Sequence, residues 1–144
     1  MGPEAKLYQT IRKATPNIIY NRVENLSVQG MPDALCYNKK HQFFTVEFKI
    51  AKGDKVRLSP HQIAWHYNHP INTFICIQTL GPGSEKHFHL VPGSLIEKLG
   101  ACSLKLTEDR SLRPAGYGFF FLWIMSYAPA GAVLKKIHVS VYHN

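Results

Sequence analysis

The sequence predicts an α/β fold: a mixed central β-sheet flanked by helices, with a β-rich C-terminal extension. Three observations carry this. Helical and strand patterns follow in the order helix, three strands, helix, strand over the first 78 residues. The run Asn72 to Gln78 is apolar and β-branched throughout, as in a strand buried on both faces. The chain has 144 residues, 45% of them apolar, enough for one domain with a real core. That single domain divides into a core of about residues 4–80 and an extension of about 84–144.

The first helix spans Pro3 to Lys13. Leu7 and Ile11 share one stripe with Tyr8 beside it, and Pro16 prevents continuation. Ile18 to Val28 is rich in strand formers, interrupted by Asn21 and Asn25. Gly30 and Pro32 then turn the chain into Asp33. Tyr37 and Phe43 flank the polar loop Asn38 to Gln42, which predicts an antiparallel hairpin. A basic loop, residues 51–58, follows the second strand. Ser59-Pro60-His61-Gln62 opens a helix with three signals at once: a serine N-cap, a proline at the first helical position, and a glutamine to complete a capping box. That helix ends near Tyr67, before Pro70. Gly81-Pro82-Gly83 is a turn, and His87 to Val91 alternates as an edge or half-exposed strand does. Ser94 to Glu97 reads as a second capping box, opening a short helix that ends at Gly100. Ile137, Val139 and Val141 alternate with polar residues as in a half-buried strand, preceded by a turn near Pro129 to Gly131.

The hairpin concentrates the chemistry. Regular pairing about its five-residue loop makes opposed positions sum to 80, so Asp33 faces Glu47. Opposed side chains have Cβ atoms about 4.5–5.5 Å apart, and like charges there repel. Two carboxylates so placed ask for a cation. Lys49 shares their face because the strand period is two.

Composition narrows the function classes. Seventeen Lys and Arg against nine Asp and Glu give a net charge of +8. A basic chain around an acidic pocket suits a polyanion, nucleic acid first. Three scattered cysteines make neither a disulfide framework nor a zinc site. The eight histidines show no zinc spacing either; His61 has the best location of them. Pro114 to Leu134 carries no charge, but its apolar run is only Phe119 to Met125, short of the roughly 20 residues of a membrane span.

The sequence Gly30-Met31-Pro32-Asp33, then Thr45-Val46-Glu47-Phe48-Lys49, then Leu58-Ser59-Pro60-His61-Gln62, resembles the PD-(D/E)XK nuclease superfamily. Within it the order and spacing are similar to small virus-type replication and repair nuclease (VRR-NUC) domains of phage or bacteria. The resemblance covers roughly residues 4–80. It implies a restriction-endonuclease-like core and a metal-dependent DNA endonuclease, structure-selective on branched or Holliday-junction-like DNA. It further implies a homodimer with no organic cofactor, while the few scattered cysteines and an N-terminus without a signal pattern suggest a cytoplasmic, intracellular setting, and the short apolar run no membrane.

Carried onto this chain, the resemblance makes Asp33, Glu47 and Lys49 catalytic and adds Gln62 at the cleft edge. Asp33, Glu47 and the backbone carbonyl of Phe48 would hold Mg²⁺, with Mn²⁺ as a substitute; hard oxygen ligands suit that ion. A further acid is expected from Glu24 or, by position on the first helix, from Glu4. Lys52, Lys55, Arg57 and Ser59 would contact the DNA backbone. Two rival readings stand beside this one: a nucleic-acid binder without catalysis, and a nuclease acting on RNA or on DNA ends.

Overall fold

The computed structural model describes residues 1–23, 28–52, 56–80, 86–100 and 138–141. Among them the chain forms a mixed six-stranded sheet whose strands lie in sequence order: β1 (Ile19–Arg22), β2 (Ala34–Tyr37), β3 (Phe43–Lys52), β4 (Thr73–Leu80), β5 (Lys86–Pro92) and β6 (His138–Val141). The β3–β4 and β5–β6 pairs are parallel and the rest antiparallel. Helix α1 (Pro3–Ala14) precedes the sheet, α2 (Pro60–Asn68) crosses from β3 to β4, and a short 3-10 turn (Gly93–Leu95) leads into α3 (Ile96–Gly100).

Strand alternation sorts the side chains into two cores. Even-numbered residues of the hairpin and of β4 and β5, among them Cys36, Phe44, Val46, Phe48, Phe74 and Phe88, pack with Leu7, Tyr8 and Ile11 of α1. Odd-numbered Ala51, Ile75, Ile77 and Val91 pack with Val56, Leu95, Ile96 and Leu99. The sheet is therefore covered from both sides, as an α/β layer architecture requires. Edge-to-face contacts of Tyr8 with Phe48 and Phe44 with Phe74, centroids 5.4 and 6.0 Å apart, tie the first core together. Cys36 and Cys76 are buried thiols, both pushed up to about 12 by desolvation.

The hairpin keeps the expected register: Ala34 pairs with Val46, Leu35 with Thr45, Cys36 with Phe44 and Tyr37 with Phe43. Asn38 organises its loop, its Oδ1 accepting from the amides of Lys40 and Gln42 at 3.0 and 3.1 Å. His41, at φ 60°, takes the left-handed position of the turn. Helix α2 begins as expected, with Ser59 as N-cap, proline in the first turn and a complete capping box.

Several expectations need correction. β1 is four residues long and ends at Arg22, where an eleven-residue strand was expected; Asn21 and Arg22 are solvent-exposed. β3 runs on through Ala51 and Lys52, because β4 supplies a parallel partner that the local sequence does not reveal. β5 is no edge strand: it lies between β4 and β6, with Phe88, His89, Leu90 and Val91 all buried. Ser94 sits inside the 3-10 turn instead of capping a helix. The Gly81–Gly83 turn, Cys102 and the segment 101–137 lie outside the described residues.

Gly30 joins the two halves of the fold. Its φ is +84°, and a Cβ there would fall on the backbone carbonyl of His61 in the first turn of α2. The turn before Asp33 thus lies directly against the start of the helix that carries Gln62. Gly30→Ala meets both a left-handed backbone penalty of about 1–2 kcal/mol and a backbone overlap. We expect a loss of at least about 2 kcal/mol, read as a lowered urea midpoint at constant slope.

Candidate functional site

Asp33 stands one residue before β2, in line with both neighbouring strands. Its carbonyl accepts the Val23 amide at 2.8 Å, continuing the β1–β2 ladder. Its Oδ2 accepts the Phe48 amide, also at 2.8 Å. The carboxylate therefore reaches across to the strand that bears Glu47, as the hairpin register demands. That use of the Phe48 amide was not foreseen; only its carbonyl was expected to matter. The Phe48 ring itself is buried in the α1 core.

Glu47 lies almost wholly buried, its side chain 3% exposed. Oε1 accepts a hydrogen bond from Gln62 Nε2 at 2.8 Å and stands 3.8 Å from Lys49 Nζ. Oε2 is buried and has no hydrogen-bond partner of ordinary geometry among the described residues. Burial, and after it the charge of Asp33, push the carboxyl up to about 8, while Lys49 acts in the opposite direction. Asp33 also adds a hydrogen-bonding contribution to the upward shift, so the two carboxyls are near neighbours. The backbones of Glu47 and Lys49 are two residues apart along the strand, and the flexible lysine stem closes that gap.

Gln62 does two jobs with one amide. Its Oε1 accepts the Ser59 amide at 3.0 Å, closing the capping box, and its Nε2 holds Glu47. The helix start and the buried acid are thereby a single hydrogen-bonded unit. Ser59 spends its hydroxyl as acceptor for the Gln62 amide at 3.2 Å, on an exposed turn.

The remaining expected residues divide plainly. Glu4, in the first turn of α1, contributes a smaller upward push on Glu47. Glu24 and Lys55 lie outside the described residues, and of Lys52 only the backbone, at the end of β3, is described. Arg57 is exposed just before α2, and His61 is exposed in the helix's first turn. The buried His66 bonds the Gln62 carbonyl through Nδ1 at 2.9 Å, so its place is beneath the helix and not in the site.

A hard divalent cation fits the donor set. Asp33 and Glu47 supply adjacent carboxylates, and the buried, unpartnered Oε2 has unfilled acceptor capacity. Among the described residues no group of three or more His, Cys, Asp or Glu side chains is placed to hold a metal, and the carboxylates that they bring together at this site number two. Mg²⁺, which keeps several waters and accepts phosphate oxygens, tolerates so sparse a protein shell.

No family model, no curated protein and no solved structure matches this chain.

The raised Glu47 carboxyl has a stability signature. In the metal-free protein the folded state keeps this proton to about pH 8, while the unfolded chain releases it near 4.5. The folded state binds more protons between those values, so stability falls as pH rises through that window and levels off above it. Gln at position 47 can still accept from Gln62 and can donate to Asp33. Glu47→Gln is therefore expected to flatten the urea midpoint between pH 5 and pH 8 and to raise it at pH 8. An unchanged pH slope would remove Glu47 as its source.

Proposed function

We propose that this protein is a metal-dependent nuclease that hydrolyses phosphodiester bonds in DNA, with a preference for branched, junction-like substrates. One observation carries the reading: two opposed carboxylates, one of them buried with an unpartnered oxygen, beside a lysine on the same strand. A structural ion pair accounts for Lys49 and Glu47 alone. It does not account for Asp33, which faces a protonated Glu47 below about pH 8 and, once that proton is lost, repels it unless a cation joins them. The resemblance of these same residues to the PD-(D/E)XK pattern supports the reading, as does the chain's +8 charge.

Asp33 and Glu47 would hold Mg²⁺, which when bound neutralises charge developing on the scissile phosphate and acidifies water. The chain's own groups then have distinct tasks. The Phe48 amide fixes one oxygen of Asp33, so that carboxylate is oriented before any ligand arrives. Gln62 fixes Oε1 of Glu47 and leaves Oε2 to face the ion. Lys49, its side chain 15% exposed, donates to a phosphate oxygen or to the attacking water. The N-terminus of α2 and the exposed Arg57 border the approach and suit the phosphates on either side. Hydrolysis proceeds in one step with water as nucleophile. Cutting two strands of a junction asks for two such sites, hence a homodimer.

Among the described residues no helix is long and apolar enough to cross a membrane.

Incubation with Mg²⁺ and linear, forked, four-way, single-stranded DNA and RNA substrates tests the proposal. Wild type is expected to cut a branched DNA fastest, and Asp33→Ala, Glu47→Ala and Lys49→Ala to lose at least about a hundredfold in rate while still binding it. Variants that cut as well as wild type would refute the assignment. Binding without any cutting by wild type would make the protein a binder. A second expectation concerns the ion itself. Mg²⁺ must displace the Glu47 proton, so its effect on the melting temperature should be larger at pH 8.5 than at pH 6 and absent in Asp33→Ala.

A further inference from the structure

The sheet face that bears the acid pair carries two more rows of side chains. Along the hairpin register Ile19, Tyr37 and Phe43 lie side by side in the first row, and Asn21, Leu35 and Thr45 in the second. Asp33 and Glu47 continue the same face as the third row. Further along the sheet this face is roofed by α2, the 3-10 turn and α3 over Ile75, Ile77 and Val91. The first rows stay open: Phe43 is 59% and Ile19 58% exposed. A half-buried sheet face normally turns polar side chains to water, so an aromatic row left open marks a contact surface.

The chemistry around that row selects the ligand. Tyr37 and Phe43 form a tilted pair, centroids 4.6 Å apart, and the Tyr37 hydroxyl is held by His41 Nδ1 at 3.0 Å. The adjoining loop presents Lys39, Lys40 and His41 at the surface. Aromatic rings with basic side chains beside them suit a polyanion that offers flat apolar faces. We infer that the Tyr37–Phe43 row is a stacking platform for an unpaired nucleobase of the substrate. The inference rests on the nuclease reading for the third row, two rows or about 13 Å away along β3. In an intact duplex the base faces are covered by their neighbours, so a ring on a sheet meets one only where the strand is single or splayed. Lys39 and Lys40 then lie where the backbone of that strand passes.

The platform adds a requirement to the site: a single-stranded stretch a few nucleotides from the bond that is cut. A second copy of the chain could also cover an apolar row, but nothing in an apolar dimer contact calls for three basic residues at its rim.

The test measures binding of a short labelled oligothymidylate and of a blunt duplex of equal length, without divalent metal, by fluorescence anisotropy. Phe43 is exposed, so its variants should melt as wild type does. Phe43→Ala and Phe43→Leu are expected to weaken oligothymidylate binding by about tenfold and to leave duplex binding unchanged, while Phe43→Trp retains it. If Phe43→Leu binds as wild type, or wild type does not bind the oligothymidylate, the platform is overturned. Sedimentation that finds a wild-type dimer and a Phe43→Ala monomer assigns the row to a second copy and overturns it too. The two readings fail separately. A wild type that binds the strand through Phe43 and cuts nothing sinks the nuclease and leaves the platform. A wild type that cuts DNA, with Phe43→Ala binding and cutting alike, does the reverse.

Discussion

Everything at this site depends on two carboxyl groups being held face to face in a poorly solvated place. Asp33 and Glu47 arrive there through hairpin register alone, since the strands that carry them are paired row by row from Tyr37 and Phe43 onward. Burial, and after it the repulsion from Asp33, keep a proton on Glu47 well into the neutral range. Three local interactions hold the arrangement in spite of it. The Phe48 amide takes one carboxylate, the Gln62 amide takes the other, and Lys49 supplies the nearest positive charge. Loss of the Glu47 proton leaves two facing carboxylates, whose repulsion a cation between them would offset.

The glycine turn and the second helix are the mechanical complement of that electrostatics. Gly30 has no Cβ, and its backbone can lie on the carbonyl of His61. This close approach places the segment leading to Asp33 against the first turn of α2, whose capping box already includes the side chain that holds Glu47. One glutamine amide therefore links helix initiation to the orientation of the buried acid. Loosening either end would loosen both. The basic residues of the hairpin tip adjoin the Tyr37 and Phe43 row, and Arg57 stands just before α2.

Much of this was legible in the sequence, and what was not has identifiable causes. Local signals were reliable where the chemistry is local: the capping box of Ser59 and Gln62, the five-residue hairpin loop, and the register that opposes Asp33 to Glu47 all depend on residues near one another in the chain. The failures involve partners far away in sequence. β3 continues through Lys52 because β4 pairs with it, and β5 is interior because β6 arrives from some forty residues later. Ser94 looked like a cap, but the chain there is pulled into a 3-10 turn, with Gly93 close against Thr73 and His66. Of the two expected third acids, Glu4 adds a small upward push on Glu47, while Glu24 lies outside the described residues.

By itself the sequence determined which residues make the acid pair, where in the hairpin they sit and which lysine shares their face. Strand periodicity and a short loop leave little freedom in those respects. Only the tertiary structure decided how deeply Glu47 is buried, which of its oxygens is left without a partner, and which side of the sheet stays open beside it. Burial and solvation depend on what the other layers cover. Helices α2 and α3 roof one part of that face and leave the Ile19, Tyr37 and Phe43 row open, an outcome that no local pattern in the hairpin encodes.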